Sequence, residues 1–207
     1  PASVVGSVLG YEGKGSLLSK LKEEGLVLGL SAGGGSSHPN INSFGISISL
    51  TEKGLKEYER ILEMVFSYIQ MVRKHGIEKY TFEQAQAMAQ INFDWKNPNE
   101  GMGFISSKAS LMHDYALTEI EKLPFLLTKH EPEAYKAVLA TLVPENSMVV
   151  LSHNSADYDQ KAPYYGAEYS LRKIKGKKFE KLVSPAKLKG TFYPKKNDLI
   201  PYNLKLI

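Results

Sequence analysis

Apolar positions along this chain follow two periods, one of strands and one of helices, and their order predicts most of its elements. Val4, Val5, Val8 and Leu9 form a short apolar run that reads as a strand. After a glycine-rich turn, Leu17, Leu18 and Leu21 recur at helical spacing opposite Lys14, Lys20, Lys22 and Glu24, and Gly25 ends that helix. Leu26 to Ser31 reads as a second strand, and Ala32 to Asn40, with three consecutive glycines, as a loop. From Ser43 to Leu50, Phe44, Ile46, Ile48 and Leu50 alternate with small or polar residues, which predicts a strand with one buried face.

The helical period then dominates. Thr51 is placed to cap a long helix in which Leu55, Tyr58, Ile61, Leu62, Val65, Ile69 and Val72 share one face, ending near His75-Gly76. Thr81-Phe82-Glu83-Gln84 has the pattern of a capping box, predicting a helix to about Phe93 or Trp95 and a break at Asn97-Pro98-Asn99. Further helices are expected over 103–119 and 132–141, then a short buried strand at Met148 to Leu151 and a polar loop from Ser155 to Pro163. The order implies an α+β fold: an antiparallel or mixed β-sheet with one face covered by several helices, in two layers.

Composition adds bounds. With 207 residues and 43% hydrophobic content the chain can bury a sizeable core. No apolar run approaches the roughly 20 residues of a membrane-spanning helix, so no membrane role is expected. The chain opens on Pro1 and enters patterned sequence at once, as a segment of a longer protein would. Cysteine is absent, which removes thiol nucleophiles and cysteine metal ligands but assigns no compartment.

The net charge of +4 is unevenly spread. Arg172 and nine lysines from Lys173 to Lys196 face a single acid, Glu180. Nucleic-acid recognition would need aromatics interleaved for base stacking, and Phe179, Phe192 and Tyr193 are too few. A solvated linker or surface face is expected, with polyanion binding the rival.

Self-contained chemistry is hard to find. His75-Gly76-Ile77-Glu78-Lys79 begins like H-x-x-E-H, but a lysine stands at the second histidine position. His130-Glu131-Pro132-Glu133-Ala134 begins like H-E-x-x-H and ends on alanine. His38, His113 and His153 stand alone, G-x-S-x-G is absent, and Gly33-Gly34-Gly35-Ser36-Ser37 lacks the Lys-Ser/Thr end of a phosphate loop. No metal ligand and no catalytic residue is expected.

The glycine run is more informative. Tyr11-Glu12-Gly13-Lys14-Gly15-Ser16-Leu17-Leu18, with Leu21 and Gly25-Leu26, resembles the H-E-G-x-G-S-L-x-x-x-L-x-x-x-G-L signature of the insulinase and pitrilysin family of zinc peptidases. Leu50-Thr51-Glu52-Lys53-Gly54-Leu55 is similar to the family's L-T-x-x-G-L step. Phe82-Glu83, Phe93-Asp94-Trp95, Leu142-Val143-Pro144-Glu145-Asn146 and Tyr165-Gly166-Ala167-Glu168-Tyr169 are similar to later landmarks. Tyr11 replaces a usual histidine, Ser7 stands where insulin-degrading members carry another, Ala32 occupies a usual glycine position, and Tyr164 replaces a common tryptophan.

The resemblance covers essentially the whole chain and points to the second, noncatalytic domain of the four-domain members. It implies a domain over 1–185 and an exit linker over 186–207. It also implies zinc only in the catalytic domain of the same parent chain, and peptide substrates enclosed in a chamber that this domain helps to wall. It further implies an exosite formed by the strand before the glycine run and the strand after it. By motif position Gly6, Gly10, Tyr11 and Glu12 would line one side, and Leu30, Ser31 and Ala32 the other. An exposed strand edge can add a peptide by main-chain hydrogen bonds, and a carboxylate at its end can pair with a terminal ammonium. The alternative is a scaffold or partner-binding domain of a catalytically inactive homologue.

Overall fold

The computed structural model describes residues 1–38, 41–97, 101–154 and 158–201. Pro39 and Asn40 of the first predicted loop, the Pro98-Asn99 break and residues 155–157 of the second loop lie outside them.

The chain opens with a helix, α1 (Ala2–Leu9), rather than the predicted strand. Val4, Val5, Val8 and Leu9 suit either element, because their spacing also makes one helical face, and all four are buried. Packing overrides the strand preference of the valines. α2 (Leu17–Glu23) follows as predicted: Ser16 Oγ accepts from the Ser19 amide at 2.9 Å, and Gly25 ends the helix at φ 69°.

β1 (Val27–His38) runs well into the predicted loop and pairs antiparallel with β2 (Ile41–Leu50). The pairing needs only backbone, so Gly33 opposite Gly45 and Gly35 opposite Ser43 continue the ladder that their side chains do not signal. Leu30, Ala32 and Gly34, opposite Ile48, Ile46 and Phe44, share the face turned to the core. The other face carries Ser31, Gly33, Gly35, Ser43, Gly45 and Ser47.

The predicted long helix is two. Thr51 Oγ1 caps α3 (Glu52–Lys56), accepting from the Gly54 amide at 3.0 Å and donating to Gly25 O at 2.8 Å. Glu57, at φ −110° and ψ 22°, then turns the chain into α4 (Tyr58–His75), which Gly76 ends at φ 84°. α5 (Lys79–Asp94) begins before the predicted capping box, so Thr81 lies within its first turn; the Thr81 hydroxyl meets Tyr193 Oη at 2.8 Å instead of capping. α6 is shorter than predicted (Gly101–Leu111) and none of its residues is buried. α7 (Pro132–Thr141) matches its pattern.

Met148 to Leu151 is not the predicted buried strand. Among the described residues the segment pairs with no strand; it borders a groove beside β2, with Met148 84% and Val150 75% exposed. Beyond it lie the two-residue strands β3 (Gln160–Lys161) and β4 (Glu168–Tyr169), paired antiparallel, and α8 (Lys177–Val183).

The fold is therefore mixed α and β with small antiparallel sheets. One core joins Val5 and Val8 of α1, Leu17 and Leu21 of α2, Ile61, Tyr68 and Val72 of α4, and Leu139 of α7. Leu182 of α8 and Tyr193 close it from the far end of the chain. Residues 186–200, expected to lead out as a linker, lie against this body along much of their course: Ser67 Oγ donates to Ala186 O at 2.9 Å and accepts from the Leu188 amide at 3.0 Å. None of the helices in the described residues is long and apolar enough to cross a membrane.

Candidate functional site

The glycine run sits where α1 ends against β1. Ala2, Gly6 and Gly10 recur every four residues and so share one helical face, and β1 passes directly under it. A Cβ on Gly6 would stand 2.8 Å from Ala32 O and 3.0 Å from Gly33 Cα, and one on Gly10 would stand 3.2 Å from Ala32 N. The Ala2 methyl fills the space over Gly34. Absent side chains thus let the helix backbone lie on the strand backbone. The Gly10 amide donates to Gly6 O at 2.8 Å, closing α1.

The turn that follows is compact. The Tyr11 side chain folds over Gly13, the Ser16 amide donates to Gly13 O at 3.1 Å, and Gly15 takes φ 81°, which glycine adopts without strain. Glu12 is exposed.

The structure brings Gly6 and Gly10 into contact with Ala32, residues that the resemblance assigns to opposite sides of the expected exosite. It corrects the kind of element: these glycines belong to a helix and its cap, so one side of the expected exosite is a helix end, not a strand. Leu30 is buried, leaving only its backbone to offer, whereas Ser31 points to the opposite, exposed face. Tyr11 and Glu12 lie one and two residues past the Gly10–Ala32 contact. Among the described residues β1 pairs with β2 alone, so its second edge has no strand partner there.

The residues fit no metal centre. Among the described residues no group of three or more His, Asp or Glu side chains is placed to hold a metal ion. His75 Nε2 lies 3.1 Å from Glu78 Oε1, but Lys79, where a second histidine would be needed, reaches Glu83 at 3.1 Å instead. His130 packs its ring against Phe82 and Tyr135.

Sequence reasoning missed three residues beside the turn. The Tyr68 ring is fully buried, and its hydroxyl has no hydrogen-bond partner among the described residues; burial, with Tyr193 and Tyr11 nearby, pushes its phenol well above the usual tyrosine value. Phe192 lies over Gly15, and Tyr193 inserts into the core. The available signal was an aromatic pair inside an otherwise basic, proline-punctuated stretch. The lysines of that stretch lie on the surface, as expected, and two of them pair with α4: Lys178 reaches Glu59 at 2.5 Å and Lys181 reaches Glu63 at 3.4 Å. The Lys178 hydrogen bond holds the Glu59 carboxyl below its usual value.

A second concavity, an open groove of about 1480 Å³, lies between β2, the Leu62–Val65–Phe66 side of α4 and residues 146–153. Its lining is largely apolar or hydroxyl-bearing.

Comparison with known proteins bears on the chain as a whole. Residues 1–89 match the family model described as the peptidase M16 inactive domain, and residues 93–207 match that described as the middle or third domain of peptidase M16. Human insulin-degrading enzyme is 32% identical over 210 residues, an alignment covering 100% of this chain and 20% of that protein. The A-factor-processing enzyme of Saccharomyces cerevisiae is 30% identical over 207 residues, with 100% and 20% covered. The crystal structure of pitrilysin superposes with a TM-score of 0.92 at 25% identity, over 99% of this chain and 22% of that one. The chain thus spans about a fifth of the length of these relatives.

Proposed function

Because the chain belongs to the peptidase M16 family, we propose that its own part in proteolysis is noncatalytic: it walls the chamber around a peptide and anchors the peptide's N-terminal end. Residues 1–185 act as one inactive domain, and 186–207 lead out of it towards the next. A single core that joins residues from Val4 to Leu182, across the junction of the two family-model matches, supports reading 1–185 as one domain, and Tyr193 ties the start of the exit segment to it. The zinc that cleaves the bond belongs to the catalytic domain of the same parent chain, and no hydrolytic step is assigned to the residues here.

The observation that carries this reading is the exposed Glu12 on a turn fixed at both ends, two residues from the place where α1 meets β1. A peptide laid along the edge of β1 that has no strand partner among the described residues would bond to its backbone whatever the peptide's sequence. Ser31 and Ala32 would supply main-chain donors and acceptors, with Leu30 holding the strand in the core. Gly6 and Gly10 set the helix close above, and Tyr11 supports the turn. The Glu12 carboxylate would meet the terminal ammonium in a charge-assisted contact.

The test compares peptides with free and acetylated N-termini on the full-length protein and its Glu12→Gln variant. Acetylation is expected to weaken binding to the unmodified protein by about tenfold or more, the size of a charge-assisted hydrogen bond, and to matter little to Glu12→Gln. Equal weakening of both proteins by acetylation would remove Glu12 as the anchor.

A further inference from the structure

The segment after α8 returns to the glycine turn from more than 170 residues away and touches it at one point. The Phe192 amide donates to Gly15 O at 3.0 Å. The Phe192 ring occupies the space a side chain on residue 15 would need: a Cβ there would stand 2.2 Å from ring carbon Cε1. Gly15 is therefore constrained twice, by φ 81° and by this ring.

The next two residues pin the strap. Tyr193 Oη accepts from the Glu78 amide at 3.1 Å and shares a hydrogen bond with Thr81 Oγ1 at 2.8 Å, and its ring stacks on His75 at 4.2 Å between centroids. Pro194 O accepts from Tyr80 Oη at 2.5 Å. The strap is thus fixed to the start of α5, while Phe192, itself 40% exposed, reaches the turn that carries Glu12.

We propose that Phe192 is a positioning residue for the substrate anchor: held by Tyr193 and Pro194, it fixes the turn over 11–16 and thereby the place of the Glu12 carboxylate. The substrate half of this rests on the anchoring function proposed above. Phe192 is the tie that reaches Gly15 from outside the turn, so the turn's amides and carboxylate would sample more positions without the ring. Anchoring of peptide N-termini would weaken while the distant chemistry stayed intact.

The experiment uses the full-length protein with Phe192→Ala and with Phe192→Tyr, which keeps the ring over Gly15. Hydrogen exchange is followed at 11–16, with α4 as the internal control, and KM and kcat are measured for matched peptides with free and acetylated N-termini. Phe192→Ala is expected to speed exchange at 11–16 by about tenfold with α4 unchanged. It should raise KM for the free peptide about fivefold at constant kcat, as loss of uniform binding does, and leave the acetylated peptide unaffected. Phe192→Tyr should behave as the parent. Unchanged exchange at 11–16 overturns the proposal, as do equal KM changes for the two peptides, which would mark a merely structural role. If exchange rises but the unsubstituted protein does not distinguish the peptides, the anchoring function itself has failed and takes the substrate role of Phe192 with it.

Discussion

Replacing Gly6 by alanine tests the helix-on-strand contact on which the candidate site stands. Two effects oppose each other. Alanine is favoured over glycine in a helix by up to about 1 kcal/mol. Against this, the new methyl would stand 2.8 Å from Ala32 O and 3.0 Å from Gly33 Cα, both backbone atoms that cannot swing aside. Ordinary contacts of this kind lie nearer ~3.5 Å, so α1 must lift off β1 or bend it, and overpacking of this sort costs about 1–3 kcal/mol. The net expectation is a loss of about 1 kcal/mol, or a melting temperature lower by about 2–4 °C in a chain of this size. Gly103 supplies the control: it too is helical, in α6, but a Cβ there meets nothing within 4 Å. Gly103→Ala should be neutral or stabilising by up to about 1 kcal/mol. Urea and thermal unfolding followed by far-ultraviolet circular dichroism would measure both variants. If Gly6→Ala stabilises the chain as much as Gly103→Ala does, α1 is not seated on β1 in this way.

Two further predictions concern the tyrosines behind the turn. Tyr193→Phe leaves Thr81 Oγ1 and the Glu78 amide without their shared partner and should cost about 1–2 kcal/mol in denaturant unfolding, whereas Tyr68→Phe removes a buried hydroxyl without a partner among the described residues and should be neutral or stabilising; the reverse order would contradict the assignment. Burial raises the phenols of Tyr68, Tyr193 and Tyr80 in the folded chain, so stability is fully present below about pH 10 and falls as pH climbs above it, where the unfolded chain ionises first. Urea midpoints from pH 8 to pH 11 should show that fall, and Tyr68→Phe should reduce it by up to about 1.4 kcal/mol per pH unit.

Much of this architecture can be read from residue pattern. α2, β2 and α7 follow directly from apolar period and end signals, because an apolar face and the residues that bound it are local properties of the sequence. The motifs around Glu12, Thr51 and Asn146 carry the family resemblance by themselves. The errors have a common cause. Val4, Val5, Val8 and Leu9 fit two periods at once, and only the β1 surface waiting under Gly6 and Gly10 selected the helix. Gly33 to Gly35 looked like loop because glycine carries no side-chain pattern, yet β2 supplied a backbone partner for each. Thr81 looked like a cap until Tyr193 took its hydroxyl.

The candidate site divides in the same way. Sequence alone determined that Gly10, Tyr11 and Glu12 belong to a turn leading into an amphipathic helix, since glycine spacing and helical period are local properties. It also determined the incomplete histidine motifs. Only the tertiary structure decided that Gly6 and Gly10 press on Ala32, that one wall of the site is a helix end, and that Phe192 covers Gly15. Those facts depend on contacts between segments far apart in the chain, which no local pattern encodes and which form only when the shared core brings the segments together.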